Sequence, residues 1–309
     1  MFTWSRLFWR WNMYRYRIGG LQFCWPDGNF PLVQDEFMSA YEAGDDVWEP
    51  EEETIIYESS FLDLDRYRSE QLLLKNETYE LYDTARGRLI VYHWARCRFG
   101  FGYWLDDLTQ GSRIPCYFHP DMRDQTPPLT AVRFFSCAGM HSKLLQRGDM
   151  ILHASYIAWN GQAILFAAPS GTGKSTQADL WHRYAGAELI NGDRALIGRK
   201  NGGWYSYGYP CCGSSAVCVN RTLPLSMIVI LEQGDENRIV SLSAGEKIRA
   251  IVSGTEMFPW DSTEISRAID LAERLVVSVP VIKLICRPDE GAVDLLRDKW
   301  KEIIYGKGV

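Results

Sequence analysis

The hydrophobic positions of this chain change rhythm near its middle. In the front half apolar residues come in short runs broken by turn residues, the pattern of strands joined by tight connections. Residues 14–24 are rich in β-forming aromatics and run into the Pro26-Asp27-Gly28 turn. Residues 81–84 and 88–94 flank Ala85-Arg86-Gly87 as the arms of a hairpin, and 99–104 extend that sheet. Residues 121–128, polar with two prolines, read as a linker. Residues 131–145 read as one helix, with Val132, Phe135, Gly139 and Leu144 along a face and Gly148 as its stop.

The second half is more regular. Residues 150–159 and 162–168 are apolar strands around Asn160-Gly161, a strong two-residue hairpin signal. A helix over 174–184 stops at Gly186, and a short strand follows at 187–190. Residues 194–199 pair with 204–209 through Asn201-Gly202-Gly203, and 225–232 is a buried strand. Amphipathic helices cover 244–252 and 262–278, a strand covers 281–286, and a closing helix covers 290–304. This pattern predicts a mostly β domain over 1–125 followed by an α/β domain over 126–309.

The chemistry concentrates at residues 168–176, Ala-Pro-Ser-Gly-Thr-Gly-Lys-Ser-Thr. They follow a strand and open a helix, as G-x-x-x-x-G-K-[ST], the Walker A pattern of a P-loop, requires. Ser170, Gly171, Thr172, Gly173, Lys174, Ser175 and Thr176 are therefore the candidate nucleotide-binding residues. Gly171 and Gly173 let the backbone approach phosphate oxygens, and the helix N-terminus faces the anion. Lys174 is spaced to reach the β- and γ-phosphates of ATP, and the Ser175 hydroxyl to bind Mg²⁺. Ala168 replaces the first glycine, at a position that opens the loop rather than cradling phosphate. The Asn-Gly hairpin makes the loop strand's neighbour antiparallel, and no hydrophobic strand ends in a clear Walker-B aspartate. Both features point away from the common parallel-sheet NTPases.

Charge and composition narrow the context. The 309 residues carry a net charge of -6, which argues against a nucleic-acid partner. No apolar run reaches the ~20 residues needed to span a bilayer. The N-terminus is aromatic and basic (Trp4, Phe8, Trp9, Trp11), and Arg6 and Arg10 interrupt any signal-peptide core there. Between Asp35 and Asp65 stand twelve acidic residues and no Lys or Arg. The eight cysteines show no CxxC pair, consistent with free thiols in the cytoplasm.

Beyond the loop, His153-Ala-Ser-Tyr-Ile, the Asn-Gly hairpin, Ser170-Gly-Thr-Gly-Lys-Ser-Thr and Leu189-Ile-Asn-Gly-Asp-Arg194 resemble the catalytic domain of HPr kinase/phosphorylase. They look still more like its relatives encoded with ribosomal-peptide biosynthesis genes, including lasso-peptide kinases. The resemblance covers about 150–298 and continues through Pro224-Leu225, Leu231-Glu232-Gln233 and Pro288-Asp289. It implies a mixed-sheet P-loop domain of the HPr kinase and phosphoenolpyruvate carboxykinase type. It also implies an ATP- and Mg²⁺-dependent kinase acting on a serine-like hydroxyl of a peptide or small molecule. Some members of that family use pyrophosphate or run the reaction backwards.

Carried over by position, His153 falls near the phosphate site, and the family's paired aspartates fall on Gly192 and Asp193. Only Asp193 is acidic, so it must hold metal with Ser175, accept the hydroxyl proton, or do both. A further acidic ligand would lie near 209–213, where this chain reads Tyr-Pro-Cys-Cys-Gly. Arg194 and Arg221 are candidate phosphate or acidic-substrate contacts. The expected catalytic set is thus Asp193, Lys174 and His153, with the front domain left for acceptor recognition. A homo-oligomer is compatible with the sequence. The rival reading is a nucleotide-binding regulator or scaffold that has lost catalysis with its second acid.

Overall fold

The computed structural model describes residues 13–26, 32–43, 53–94, 97–124 and 128–306. The N-terminal aromatics Trp4, Phe8, Trp9 and Trp11, Asp27 and Gly28 of the first turn, part of the acidic stretch (44–52) and part of the expected linker (125–127) lie outside them. The chain divides into two compact units, Met1–Lys143 and Leu144–Val309.

The first unit is built on an eight-stranded mixed sheet. Its strands are β1 (Met13–Ile18), β2 (Leu21–Pro26), β3 (Thr54–Phe61), β4 (Gln71–Lys75), β5 (Tyr79–Thr84), β6 (Gly87–Trp94), β7 (Cys97–Trp104) and β8 (Arg113–Phe118). They lie in the order β1-β2-β3-β8-β7-β6-β5-β4. Two short helices, α1 (Glu36–Ser39) and α2 (Leu105–Gln110), belong to the same unit. The β-forming stretch over 14–24 is a hairpin of β1 and β2. Gly19 and Gly20 have φ of 64° and 94°, a left-handed turn that folds the chain back on itself. The hairpin around Ala85-Arg86 is present, with β5 and β6 antiparallel. The parallel pairings of β2 with β3 and β3 with β8 join segments distant in sequence and left no local signal.

The helix expected over 131–145 is two helices, α3 (Ala131–Cys137) and α4 (Met140–Arg147). The break falls at Gly139, whose φ is 71° and whose absent Cβ makes room for the Leu108 side chain. Phe134 on α3 sits 4.5 Å from Trp25, 5.4 Å from Phe101 and 5.5 Å from Tyr57, ring centroid to centroid. These contacts tie α3 to the first unit, and the two compact units meet in sequence at 143/144, inside α4.

The second unit has a mixed sheet with helices. Its strands are β9 (Met150–Trp159), β10 (Gln162–Ala167), β11 (Glu188–Asn191), β12 (Arg194–Lys200), β13 (Gly203–Tyr207), β14 (Leu223–Gln233), β15 (Arg238–Val240) and β16 (Val281–Cys286). Its remaining helices are α5 (Lys174–Ala185), α6 (Ala244–Gly254), α7 (Ser262–Ser278) and α8 (Glu290–Tyr305). Asn160 and Gly161 both have positive φ, 48° and 72°, as a primed hairpin turn demands. β10 therefore pairs antiparallel with β9, but on its other side it pairs parallel with β14, which pairs parallel with β16. β15, three residues long, was too short to leave a pattern.

Strand periodicity explains why helices cover both faces. Ala163, Leu165 and Ala167 of β10 point into one core with Ile251 of α6 and Leu271 and Leu275 of α7. Ile164 and Phe166 point the opposite way, into a core with Trp181 of α5 and Leu296 and Trp300 of α8. No helix among the described residues is long and apolar enough to cross a membrane.

One buried charge makes this fold sensitive to pH. Asp149, 6% exposed, packs its carboxylate over Gly198, and its Oδ2 has no hydrogen-bond partner among the described residues. Burial raises its pKa to about 6, with Arg147 pulling weakly the other way. The native state then holds a proton that the unfolded chain has released, so stability falls as pH rises through that window. Each tenfold difference in proton affinity between the two states is worth about 1.4 kcal/mol. Asp149→Asn is therefore expected to stabilise the chain above pH 7 by roughly 2–3 kcal/mol. The gain should vanish below about pH 4, near the ordinary carboxylate value, in thermal unfolding across pH.

Candidate functional site

The loop at 168–173 joins β10 to α5. Gly171 and Gly173 take φ of 79° and 107° with open space where a Cβ would stand, conformations in which an L side chain is strained. Gly173 sits at the N-cap of α5 and makes no side-chain cap, so the first amides of the helix keep no intrahelical partner and face the loop mouth. Lys174 is 7% exposed, and its Nζ donates to the Ala168 and Pro169 carbonyls at 3.1 and 3.4 Å. Burial lowers its pKa, with Arg194 adding to the effect and Asp193 opposing it.

The acidic side of the site comes from the bend between β11 and β12. β12 pairs with the first part of β9, placing Arg194 opposite His153, while β11 pairs with the later part around Tyr156. Gly192 and Asp193 bridge the two pairings, and Ser155 Oγ donates to the Gly192 carbonyl at 2.8 Å. His153 Nε2–H donates to Asp193 Oδ1 at 2.9 Å, and Arg194 Nη1 donates to Oδ2 at 3.0 Å. Arg194 Nε in turn meets Glu256 at 2.9 Å, giving a chain of alternating charge, Glu256–Arg194–Asp193, that ends on the imidazole. Burial pushes the His153 pKa below its ordinary value and Lys174 pushes it further, while Asp193 pulls it up; the net lowering favours the neutral ring.

A cavity of about 310 Å³ brings these groups together. His153, Lys174, Ser175, Thr176 and Asp193 line it, with Ser170, Gly171 and Gly173 of the loop and Gly192 and Ser214 opposite. Thr172, also expected to bind nucleotide, lines a neighbouring cavity instead. Arg221 pairs with Glu188 and does not line the 310 Å³ cavity. The Ser175 hydroxyl and the Asp193 carboxylate are hard oxygen donors in one polar space, a set that fits Mg²⁺ retaining much of its water.

Three features escaped sequence reasoning. Asn191, fully buried, accepts from the Asp193 and Arg194 amides at 2.8 and 2.9 Å through Oδ1. Its Nδ2 donates to the Tyr209 and Cys211 carbonyls at 2.8 and 3.0 Å. These bonds join Asn191 to backbone far along the chain, so no local pattern signals them. Glu256, from the loop after α6, is a second carboxylate beside Arg194. Ser215 accounts for Gly192: a Cβ there would collide with the Ser215 side chain, which donates to the Cys212 carbonyl at 2.7 Å. A Cβ at Gly213 would likewise stand 2.8 Å from that of Asp193. Gly213 thus stands against Asp193, in the stretch where the resemblance implies an acidic ligand, and Ser214 lines the same cavity.

Asn191→Ala leaves two amides and two carbonyls without their partners. At about 1–3 kcal/mol for each buried group left unsatisfied, the expected loss is on the order of 3 kcal/mol after relaxation. Denaturant unfolding reads it directly.

No curated protein matches the chain. A solved structure of the Hpr(Ser) kinase/phosphatase from Coxiella burnetii matches over 41% of this chain and 92% of that one. Identity is 13% and the TM-score 0.22, a superposition too poor to bear on the fold. The family model of SynChlorMet cassette protein ScmC matches residues 116–286, which run from β8 through β16 and contain the loop, His153, Asn191 and Asp193. With more than half its length matched, the chain belongs to the family of SynChlorMet cassette protein ScmC.

Proposed function

We propose that this protein is a kinase that transfers the γ-phosphoryl group of Mg·ATP to a serine-like hydroxyl of a peptide or small molecule. The observation that carries this reading is the convergence, in one cavity, of the glycine loop with Lys174 and Ser175 and of the His153–Asp193 pair. The loop amides and Lys174 hold the phosphates. Ser175 and Asp193 would hold Mg²⁺, which when bound neutralises charge on the phosphate oxygens. Asp193 orients the acceptor hydroxyl and takes its proton as the oxygen bonds to the γ-phosphorus. The bond to the β-phosphate oxygen breaks, and ADP leaves with the electron pair. His153 and Arg194 keep the carboxylate turned into the cavity, and a neutral His153 leaves Asp193 free to act as the base.

One observation favours nucleotide binding without transfer: Ser215 fills the space a side chain at Gly192 would need, so a second acid cannot be accommodated without rearrangement. Incubation with γ-labelled Mg·ATP and a panel of serine-bearing peptides and hydroxyl metabolites separates the two readings. Label appearing as a phosphoester in an acceptor supports the kinase; label retained in bound ATP across the panel supports the regulator.

A further inference from the structure

A second and larger cavity, about 690 Å³, lies against the same loop. It shares Gly173 and Thr176 with the smaller one, so the two spaces flank a single turn of backbone. Its floor is made by the carboxyl ends of two strands: Leu231 and Gln233 of β14, and Cys286 of β16 with Arg287 and Pro288 after it. The strand registers explain this placement. β10, β14 and β16 run parallel, with Ala167 opposite Ile230 and Gln233 opposite Cys286, so their carboxyl ends share one edge. In open α/β sheets, the crevice outside that edge is where ligands bind.

We propose that this cavity receives the nucleoside of the bound nucleotide. The proposal rests on the reading of the loop as a phosphate cradle and fixes the direction in which the nucleotide lies. The triphosphate runs along Gly173–Thr176 with its γ end toward His153 and Asp193. The base and ribose lie over β14 and β16.

Charge and shape support that direction over its reverse. The smaller cavity holds Lys174, whereas the larger one presents Asp235, and its Arg287 is already engaged by Asp289 at 3.0 Å. A polyanion therefore belongs on the Lys174 side, and a neutral, part-apolar group on the other. Leu231, Cys286 and Pro288 provide apolar surface, the lining usual for a small-molecule pocket of this size. Gln177, 3% exposed on the first turns of α5, provides the polar anchor. Its Nε2 donates to Cys286 Sγ at 3.2 Å, while its Oε1 makes no hydrogen bond among the described residues. A buried carbonyl without a donor is costly, and the exocyclic amino group of a base is a donor that would complete it.

Two measurements on the full-length protein test this, with Mg·ATP and inorganic tripolyphosphate as probes. The first is the rate of Cys286 alkylation in mildly alkaline buffer, followed by peptide mapping. Mg·ATP is expected to slow it about tenfold, the occupancy effect of a ligand well above its dissociation constant, and tripolyphosphate to leave it unchanged. The second is binding to Gln233→Trp, whose indole would fill the cavity from an exposed position. Mg·ATP affinity is expected to fall about tenfold with tripolyphosphate affinity retained. If that variant does not fold, the alkylation result decides alone. Wild-type protein that binds both probes, yet shows Cys286 unshielded by ATP and equal losses or none in Gln233→Trp, would place the nucleoside elsewhere and leave the loop reading intact. Wild-type protein that binds neither probe would overturn the loop reading and this proposal together.

Discussion

Replacing Lys174 by alanine is expected to weaken Mg·ATP binding by about 10- to 100-fold while the protein stays folded. Among the described residues the lysine is the one cation that lines the loop cavity directly, and a hydrogen bond to a charged group contributes about 1.5–3 kcal/mol. At about 1.4 kcal/mol per factor of ten, that range gives the expected loss. The fold should tolerate the change. Burial already lowers the pKa of the ammonium, and its bonds go to two loop carbonyls near solvent rather than into either core. Alanine is also the best residue for the first turn of α5. Calorimetric titration of Mg·ATP into wild type and variant, with unfolding curves alongside, reads both halves. Equal affinity in a folded variant would remove Lys174 from the site.

Asp193→Asn should give the opposite signature: nucleotide affinity within a few-fold of wild type, and turnover lower by at least ~10², the usual cost of losing a general base. Asparagine keeps the shape and one carbonyl oxygen for His153 or Arg194, so the bend at 191–194, held by the Asn191 side chain, has no reason to open. The split between binding and turnover distinguishes a base from a turn residue, because a residue that only shapes the bend would move both together. Near-normal turnover in the variant would take Asp193 out of the chemistry.

The parts of the site that could be read from sequence are those whose physics is local. Gly171 and Gly173 sit where left-handed backbone is required, Asn160-Gly161 forces the antiparallel partner of β10, and Gly186 ends α5 with φ of 66°. Each is decided within a few residues of itself. What escaped depends on residues far along the chain. Asn191 matters because the carbonyls of Tyr209 and Cys211 arrive beside it. Glu256 matters because the loop after α6 reaches Arg194. The break between α3 and α4 depends on Leu108 occupying the space beside Gly139. Gly192 looked like a lost acid, and only the fold reveals the Ser215 side chain in its space. The front sheet was legible in its hairpins and illegible in its parallel pairings, since β2–β3 and β3–β8 contacts leave no short-range pattern.

If this cavity moves a γ-phosphoryl group, it should release labelled phosphate from γ-labelled Mg·ATP, with water standing in for the acceptor hydroxyl. Slow release by wild-type protein is expected, suppressed in Lys174→Ala through binding and in Asp193→Asn at saturating nucleotide. Saturating Mg·ATP bound to wild type with no release above the uncatalysed rate, or a release rate identical in all three proteins, would contradict phosphoryl transfer in this cavity.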